Sequence, residues 1–528
     1  MMDKHSGWKR FQEYCFCYPE IGLSLDLSRM FFPDGFINEM EPAFKKAFHE
    51  MAALEAGAIS NPDENRMVGH YWLRDPRLAP SREISCEIEG NTREIKRFAS
   101  EVGQGVIRPG KERIFRNFVL IGIGGSALGP QLLADALWDG GFLKPYFLDN
   151  TDADGIDLLL KKLRDKLEET LVLVVSKSGG TVETYNGMLE IRHAYLEKGL
   201  DFAKHAVAVT MAGSKLDQLA SGEGWLARFP LWDWVGGRFS ITSTVGLLPA
   251  ALLGIDIDSF LEGARLCDRV TRKPDVCSNP AALLAAMWYY AADGRGKRDM
   301  VVLPYKDRLQ YLARYLQQLV MESLGKELDR GGVRVNQGLT VYGNKGSTDQ
   351  HAYVQQLLDG VNNFFVTFIE VLSDNRKKHV VIEKNVTSGD YLRAFLLGTR
   401  QALTRKGRES ITITIKKADP FHLGALLAVF ERTVGFYASL VNVNAYHQPG
   451  VELGKKGAGV VIEMLIKIYS YLHEKPGEAR TVGEIAQAIG FPFEEETVYK
   501  ILEFLAAQEE RGIKKTPGDG LFDCGYFV

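Results

Sequence analysis

The apolar positions of the chain form two series of short runs separated by helical stretches. The first series lies at residues 118–123, 145–148, 171–175 and 206–210, and the second at 299–304, 364–371 and 410–415. Short apolar strands that alternate with helices predict parallel sheets covered by helices on both faces. We therefore expect an α/β protein with two three-layer αβα lobes and mainly parallel sheets.

The same pattern predicts where these lobes begin and end. Residues 1–95 are polar with helical periodicity, so we expect a helical N-terminal extension there. The lobes are predicted at 96–270 and 280–450, joined by a short linker that contains two prolines. Residues 451–528 are predicted as a helical C-terminal region, in which Thr481 and Glu484 have the spacing of a capping box at a helix start.

Charge and cysteine usage exclude several classes of protein. Lys and Arg number 64 against 67 Asp and Glu, which disfavours a dedicated nucleic-acid binder. We see no apolar run near the roughly 18 residues of a membrane span, and no apolar segment of a secretory signal near the start. The six cysteines include no CxxC pair. We therefore expect a cytoplasmic chain with no membrane contact and with neither a metal nor a cofactor.

Two glycine-rich turns follow predicted strands and precede helices. Residues 122–130 read GIGGSALGP and residues 176–184 read SKSGGTVET. Main-chain N–H groups and hydroxyls at helix starts bind anions, and the chain has no Walker A loop, so a phosphate monoester fits better than a nucleoside triphosphate. Residues 122–127 also fit a loose dinucleotide fingerprint, with Asp149 after the next strand, which leaves a nucleotide as an alternative.

Five further side chains are candidates for the chemistry. Arg238 follows two glycines, where a guanidinium could stabilise an oxyanion or a phosphate, with an ordinary loop arginine as the alternative. Gln318 and Glu322 are four residues apart on a predicted helix and so share a face. Glu322 could act as a general base beside Gln318, or the two could belong to a solvated polar stripe. His351 and Lys455 follow glycine-containing loops, and each has an alternative as an ordinary structural or surface residue.

The order and spacing of these motifs resemble the phosphoglucose isomerase family, whose two lobes are sugar-isomerase domains. The matching segments, in the order of the family, are 64–74 (ENRMVGHYWLR), 122–130, 176–184, 236–240 (GGRFS), 321–326 (MESLGK), 346–351 (GSTDQH) and 451–455 (VELGK). Some three quarters of the chain lies between the first and the last of them.

The resemblance implies reversible isomerisation of glucose 6-phosphate and fructose 6-phosphate, in glycolysis and gluconeogenesis, by ring opening and a cis-enediol. Glu322 would be the base, Arg238 would stabilise the enediolate oxygen, and His351 with Lys455 would open the ring. A homodimer is implied, in which each His351 serves the site of its partner. The implied substrate-binding residues are Gly125, Ser126, Ser176, Lys177, Ser178, Thr181, Gln318 and Gln448.

Four segments depart from the usual pattern of the family. Leu324 stands where many members have Asn, residues 347–349 replace Thr-Asn-Gly, and Pro449 replaces Trp. Gly179 and Gly180 stand where a Phe/Thr version of the phosphate loop is frequent. Three alternatives remain open: a dinucleotide-dependent oxidoreductase, a non-catalytic sugar-phosphate sensor, and an isomerase for another ketose phosphate. The presence of all four proposed catalytic groups favours an enzyme over a sensor, because a sensor needs no base.

Overall fold

The computed structural model describes residues 4–374, 378–518, 520 and 522–528, without the side chains of residues 4–6 and 451–453. The chain forms two compact units, Met1–His447 and Gln448–Val528.

The N-terminal region combines helices with a two-stranded hairpin. Its elements are α1 (Lys4–Tyr14), β1 (Cys15–Tyr18), β2 (Leu23–Arg29), α2 (Phe36–Glu39), α3 (Glu41–Glu55) and α4 (Arg82–Gly103). The expectation of a purely helical extension is therefore wrong at β1 and β2. In β2, leucines at 23, 25 and 27 alternate with polar residues, which is the period of a strand and not of a helix.

The first lobe is a five-stranded sheet in which every strand pair is parallel. Its elements are β3 (Asn117–Ile121), α5 (Gly125–Leu137), β4 (Lys144–Leu148), α6 (Ala153–Leu163), β5 (Thr170–Val175), α7 (Val182–Glu197), β6 (Ala206–Thr210), α8 (Lys215–Gly222) and β7 (Ala227–Pro230). The strand order is β4-β3-β5-β6-β7. The four predicted strands are present, and β7 was not predicted.

Side chains from this sheet enter hydrophobic clusters on both of its faces. In β3, Phe118 and Leu120 join one buried cluster, whereas Val119 and Ile121 join another with residues of α6 and α7. Successive side chains of a strand point to opposite faces, so a strand buried on both faces is apolar throughout. This is why the sequence shows these strands as unbroken apolar runs.

Three helices follow the first sheet: α9 (Thr244–Leu252), α10 (Ile257–Thr271) and α11 (Pro280–Ala291). The remaining elements of this unit are β8 (Asp299–Pro304), α12 (Leu312–Leu316), β9 (Lys326–Leu328), β10 (Arg334–Gln337), β11 (Val341–Tyr342), α13 (Val354–Asp359), β12 (Phe364–Ser373), β13 (Val381–Glu383), β14 (Val386–Thr387), α14 (Ser388–Arg405), β15 (Ser410–Lys417) and α15 (Pro420–Leu440). A π-helical turn, Gln317–Glu322, continues directly from α12.

The second sheet repeats the strand order of the first. Its order is β1-β2-β15-β12-β8-β11, with the last four strands parallel and the N-terminal hairpin antiparallel at one edge. In chain order the parallel strands are β8, β11, β12 and β15, so their arrangement corresponds to β3, β4, β5 and β6 of the first sheet. The two lobes therefore share one topology, although their sequences show no clear repeat.

The C-terminal unit is a helix-turn-helix with a small antiparallel sheet. Its elements are α16 (Pro449–Glu474), β16 (Arg480–Thr481), α17 (Val482–Ala488), α18 (Glu495–Ala506), β17 (Lys514–Thr516) and β18 (Gly525–Phe527), with strand order β16-β18-β17. The predicted capping box is present, since the main-chain N–H of Thr481 donates to Glu484 Oε2 at 2.8 Å. The three short strands were not predicted.

One helix in the described part of the chain, α15, is long and apolar enough by length and composition to cross a membrane. The expectation that no run approaches that length is therefore corrected. Glu431 and Arg432 interrupt the apolar stretch, so the sequence does not show it as one continuous apolar run. Of the most apolar 18-residue stretch of α15, 94% is buried inside the fold, as is usual for a core helix.

A buried ion pair attaches the N-terminal hairpin to the second lobe. Asp26 in β2 is only 6% exposed and pairs with Arg400 of α14, and it also accepts a hydrogen bond from the Ser28 N–H at 2.8 Å. We expect Asp26→Ala to lower the free energy of unfolding by about 3–5 kcal/mol, because it leaves the guanidinium without its partner.

Urea unfolding followed by tryptophan fluorescence measures this loss, since all seven tryptophans lie in Met1–His447. Asp34→Ala, at an exposed position, is the matched control, and Asp26→Ala with Arg400→Met should recover part of the loss. Equal stability of the Asp26 and Asp34 variants would contradict the role of the pair.

Candidate active site

The two glycine-rich turns lie side by side at the carboxyl end of the first sheet. One follows β3 and the other follows β5, which are adjacent strands. The strand order reverses between them, because the chain goes from β3 to β4 on one side and to β5 and β6 on the other. Ligands of open α/β sheets bind in the crevice at this point, and helices α5 and α7 begin there.

The turn after β5 gathers three hydroxyls at the start of α7. Ser176 Oγ donates to Thr181 Oγ1 at 3.2 Å, and Ser178 Oγ accepts from the Gly180 N–H at 3.2 Å. Thr181 is the N-cap residue of α7, but its side chain makes no capping hydrogen bond. The first N–H groups of this 16-residue helix therefore face the turn together with the hydroxyls, as in sites that bind a phosphate.

The side chain of Lys177 points away from this turn and holds the next loop. Its Nζ donates to the main-chain oxygens of Asp233 at 2.7 Å and Val235 at 2.9 Å, just before the GGRFS segment. Burial, and then the positive charge of Arg66, lowers the pKa of Lys177 to about 8. A contact of Lys177 with a ligand in the turn would therefore be made by its main chain.

The GIGGS turn and the GGRFS turn are in direct main-chain contact. A Cβ atom added to Gly125 would lie 2.1 Å from the carbonyl oxygen of Gly237, so only glycine fits there. Ser240 Oγ completes the contact, because it lies 2.6 Å from the Gly237 oxygen and 3.3 Å from the Gly125 oxygen. This contact fixes Arg238 beside the start of α5.

Arg238 is the most completely buried charge of the site, with 3% of its surface exposed. Its guanidinium donates to Ser323 Oγ at 2.7 Å, to the Ala445 oxygen at 2.7 Å and to the His447 oxygen at 2.9 Å. It also donates to Glu322 Oε1 at 2.8 Å. Burial lowers the pKa of Arg238, but a guanidinium stays protonated throughout the physiological range.

Glu322 is held at both of its carboxylate oxygens. Oε1 accepts from Arg238, and Oε2 accepts from Gln318 Nε2 at 2.9 Å. Gln318 lies across the GIGGS turn, because a Cβ atom on Gly124 would be 3.0 Å from its Nε2. Both residues belong to the π-helical turn, a distortion that is frequent at functional sites and that the sequence analysis did not predict.

Among the predicted residues, His351 has no described link to this group. It ends a 3-10 turn (Thr348–His351) after β11, its side chain is exposed, and no described hydrogen bond or ion pair joins it to Glu322 or Arg238. Gln448 and Lys455 belong to the C-terminal unit. In the VELGK segment the side chains of residues 451–453 lie outside the described residues. The roles of His351, Gln448 and Lys455 stay predictions.

Ser126 is the second residue of α5, directly after Gly125, and its hydroxyl makes no hydrogen bond within the described residues. Of the departures from the family pattern, Leu324 is fully buried in the apolar core, where an Asn would need a polar partner. Asp349, 2% exposed, accepts from the Asn344 N–H at 2.9 Å and so stabilises the loop that carries His351. Pro449 is the first residue of α16.

The groups of the dinucleotide fingerprint are engaged within the protein. Asp149 Oδ2 accepts from Gln131 Nε2 at 2.9 Å, and Gln318 Nε2 would lie 3.0 Å from a Cβ atom added to Gly124 in the glycine turn. Within the described residues, no three His, Cys, Asp or Glu side chains are grouped so that they could hold a metal ion.

Sequence reasoning missed two parts of the site. Lys326, 4% exposed, donates from Nζ to the main-chain oxygen of Glu322 at 2.7 Å. The main-chain oxygens of Ala445 and His447 bind Arg238. Every residue has a carbonyl oxygen, so the sequence gives no signal for the second part. Lys326 lay inside a recognised motif, and only its spacing of four from Glu322 pointed to it.

We expect Gly125→Ala to lower the free energy of unfolding by about 1–3 kcal/mol, because the added methyl group would push the GIGGS turn away from Gly237. Gly90 lies in the middle of α4, and a Cβ atom added there would meet no atom within 4 Å. Gly90→Ala should therefore raise the free energy of unfolding by about 0.5–1 kcal/mol. Urea unfolding measures both. Similar effects at the two positions would show that the contact with Gly237 is not tight.

Comparison with known proteins places the chain among sugar-phosphate isomerases. A sequence profile described as phosphoglucose isomerase matches residues 41–470. The chain is 58% identical over 527 residues to a glucose-6-phosphate isomerase of Geotalea daltonii, covering 100% of this chain and 99% of that protein. It is 58% identical over 514 residues to one of Geobacter sulfurreducens, covering 97% of each.

A solved structure shows the same relationship. The glucose-6-phosphate isomerase of Chlamydia trachomatis superposes with a TM-score of 0.80 at 28% identity, covering 87% of this chain and 91% of that one. The profile match spans well over half of the residues, and the curated relatives align along nearly the whole chain. This chain belongs to the phosphoglucose isomerase family.

Proposed function

We propose that this chain interconverts glucose 6-phosphate and fructose 6-phosphate, as a step of glycolysis and gluconeogenesis. The observation that carries the proposal is the Glu322 carboxylate, held between the Arg238 guanidinium and Gln318, in the same crevice as a turn that gathers hydroxyls at a helix start. This arrangement offers a base, an oxyanion stabiliser and an anion site in one crevice.

The phosphate of the substrate would bind at the turn after β5. Ser176, Ser178 and Thr181 offer hydroxyls, and Lys177 offers its main chain while its ammonium holds the loop before Arg238. Binding energy gained at this remote group helps to orient the reacting carbons. The sugar would then extend toward Glu322, and we assign Gly125, Ser126 and Gln318 to its hydroxyl groups. The resemblance to the family adds Gln448 to this assignment.

The reaction requires a proton to move between two neighbouring carbons. Glu322 would take the proton from C2 of the open-chain aldose, which leaves a cis-enediolate, and would return it to C1 to form the ketose. The hydroxyl proton moves from O2 to O1, so no proton is gained or lost overall. Arg238 would stabilise the negative oxygen of the intermediate, and a preorganised, buried donor of this kind is most effective away from water.

Ring opening would use His351 and Lys455, as general acid and base at the ring oxygen and the anomeric hydroxyl. Because no described contact joins His351 to Glu322 within one chain, we propose a homodimer in which His351 reaches the site of the partner subunit. The cytoplasmic location likewise remains a proposal from the sequence.

Glu322→Gln tests the base directly. We expect kcat for fructose 6-phosphate to fall by about 10²–10⁴-fold, because an amide cannot accept the carbon-bound proton, while KM changes little. The measurement is conversion of fructose 6-phosphate to glucose 6-phosphate by the purified chain. Glu327→Gln is the matched control, since Glu327 is mostly exposed and pairs with Arg334 at the surface.

Near-normal turnover by Glu322→Gln would remove Glu322 as the base. If the unmodified chain bound the sugar phosphate without converting it, the sensor would be the better assignment. If the chain converted a different ketose phosphate but not fructose 6-phosphate, an isomerase for that ketose phosphate would be the better assignment.

Mixing two inactive variants tests the shared site. In a heterodimer of Glu322→Gln and His351→Ala chains, one of the two sites would combine an intact Glu322 with an intact His351. Random exchange of subunits should therefore restore about a quarter of the activity of the unmodified enzyme. A mixture as inactive as each variant alone, after exchange has been verified, would place both residues in a site within one chain.

A further inference from the structure

Lys326 is a buried cation next to the proposed base. It is the first residue of β9 and lies four positions after Glu322. Its side chain is 4% exposed, and Nζ donates to the Glu322 main-chain oxygen at 2.7 Å. In the described part of the chain, no carboxylate oxygen lies within ion-pair distance of this ammonium.

The hydrogen bond meets a specific need of the main chain. The helical stretch that contains the π-turn ends just before Lys326, and the last carbonyl groups of a helix have no main-chain donors. A lysine near a helix end can donate to such a carbonyl. Here the carbonyl belongs to the residue whose carboxylate we propose as the base.

The charges around Lys326 do not favour a cation there. Arg238 repels it, and Glu322 and Asp63 attract it only from beyond ion-pair distance. The fourth neighbour, His447, is half-buried. Burial, and then the charge of Arg238, lowers the pKa of Lys326 to about 7. A buried charge without an ion-pair partner costs stability, whereas a buried apolar side chain does not.

We propose that Lys326 is a positioning residue of the isomerisation, which fixes the main chain at Glu322 and places a positive charge beside the Glu322–Arg238 pair. This inference rests on the proposed function. The hydrogen bond would hold the carboxylate at the distance that proton transfer needs, where a small displacement is costly. The positive charge would favour both the ionised base and the negative oxygen of the intermediate.

The test replaces the ammonium with an apolar group of similar length. For Lys326→Met we expect kcat to fall about ten- to a hundredfold, as for the loss of a charge-assisted hydrogen bond, while KM stays within about threefold because the phosphate cradle is untouched. Lys326→Gln keeps a hydrogen-bond donor without the charge, so its kcat should lie between those of Lys326→Met and the unmodified chain. Lys297→Met, at an exposed lysine, is the matched control.

The pH dependence separates this role from a purely structural one. The ammonium of the unmodified chain loses its proton as the pH rises through about 7. The ratio of its kcat to that of Lys326→Met should therefore fall between about pH 6 and about pH 9. A structural role predicts a ratio that does not change with pH.

Three results would overturn the proposal: an unchanged kcat in Lys326→Met, a ratio independent of pH, or a rise in KM alone. If Lys326→Met fails to fold, the same kinetic criteria apply to Lys326→Gln. Failure of the proposed function has a different signature, because the unmodified chain would then not convert fructose 6-phosphate at all, and this inference would fall with it.

Discussion

Burial of the Arg238 guanidinium is the constraint on which the rest of the site depends. A buried cation must satisfy its N–H groups, and this one binds side chains of the π-turn and main-chain oxygens near residue 446. These partners come from segments more than 80 residues away in sequence. The parallel strands bring the glycine turns together, but Arg238 joins those turns to the segment that carries Glu322.

The two lobes share one strand order but provide different groups. The first lobe supplies the turn proposed to bind the phosphate and the tight contact between Gly125 and Gly237, at the crevice expected for its topology. The second lobe supplies Gln318 and Glu322 from the segment after β8. A duplicated fold therefore does not imply a duplicated site, because the loops at the strand ends determine the chemistry.

Much of the fold could be predicted because its central strands are buried on both faces and so appear as unbroken apolar runs. The β1–β2 hairpin lies at a sheet edge. Its short alternation of apolar and polar residues was not recognised, because it lies in a region that is polar on the whole. The motifs located Arg238 and Glu322, but their contact depends on tertiary packing. The π-turn could not be predicted, since its hydrogen-bond pattern depends on contacts with other segments of the same chain and not on local propensity.

The site also concentrates cations that are largely withdrawn from water. Arg238, Lys326 and Lys177 are largely withdrawn from water within one crevice of a chain whose overall charge is -3. Burial lowers the pKa of all three, so keeping these groups charged costs free energy. A phosphate dianion and an enediolate oxygen would both offset this cost. In the proposed reaction, the same burial would favour an anionic substrate, and it would favour most the intermediate in which an additional negative charge develops.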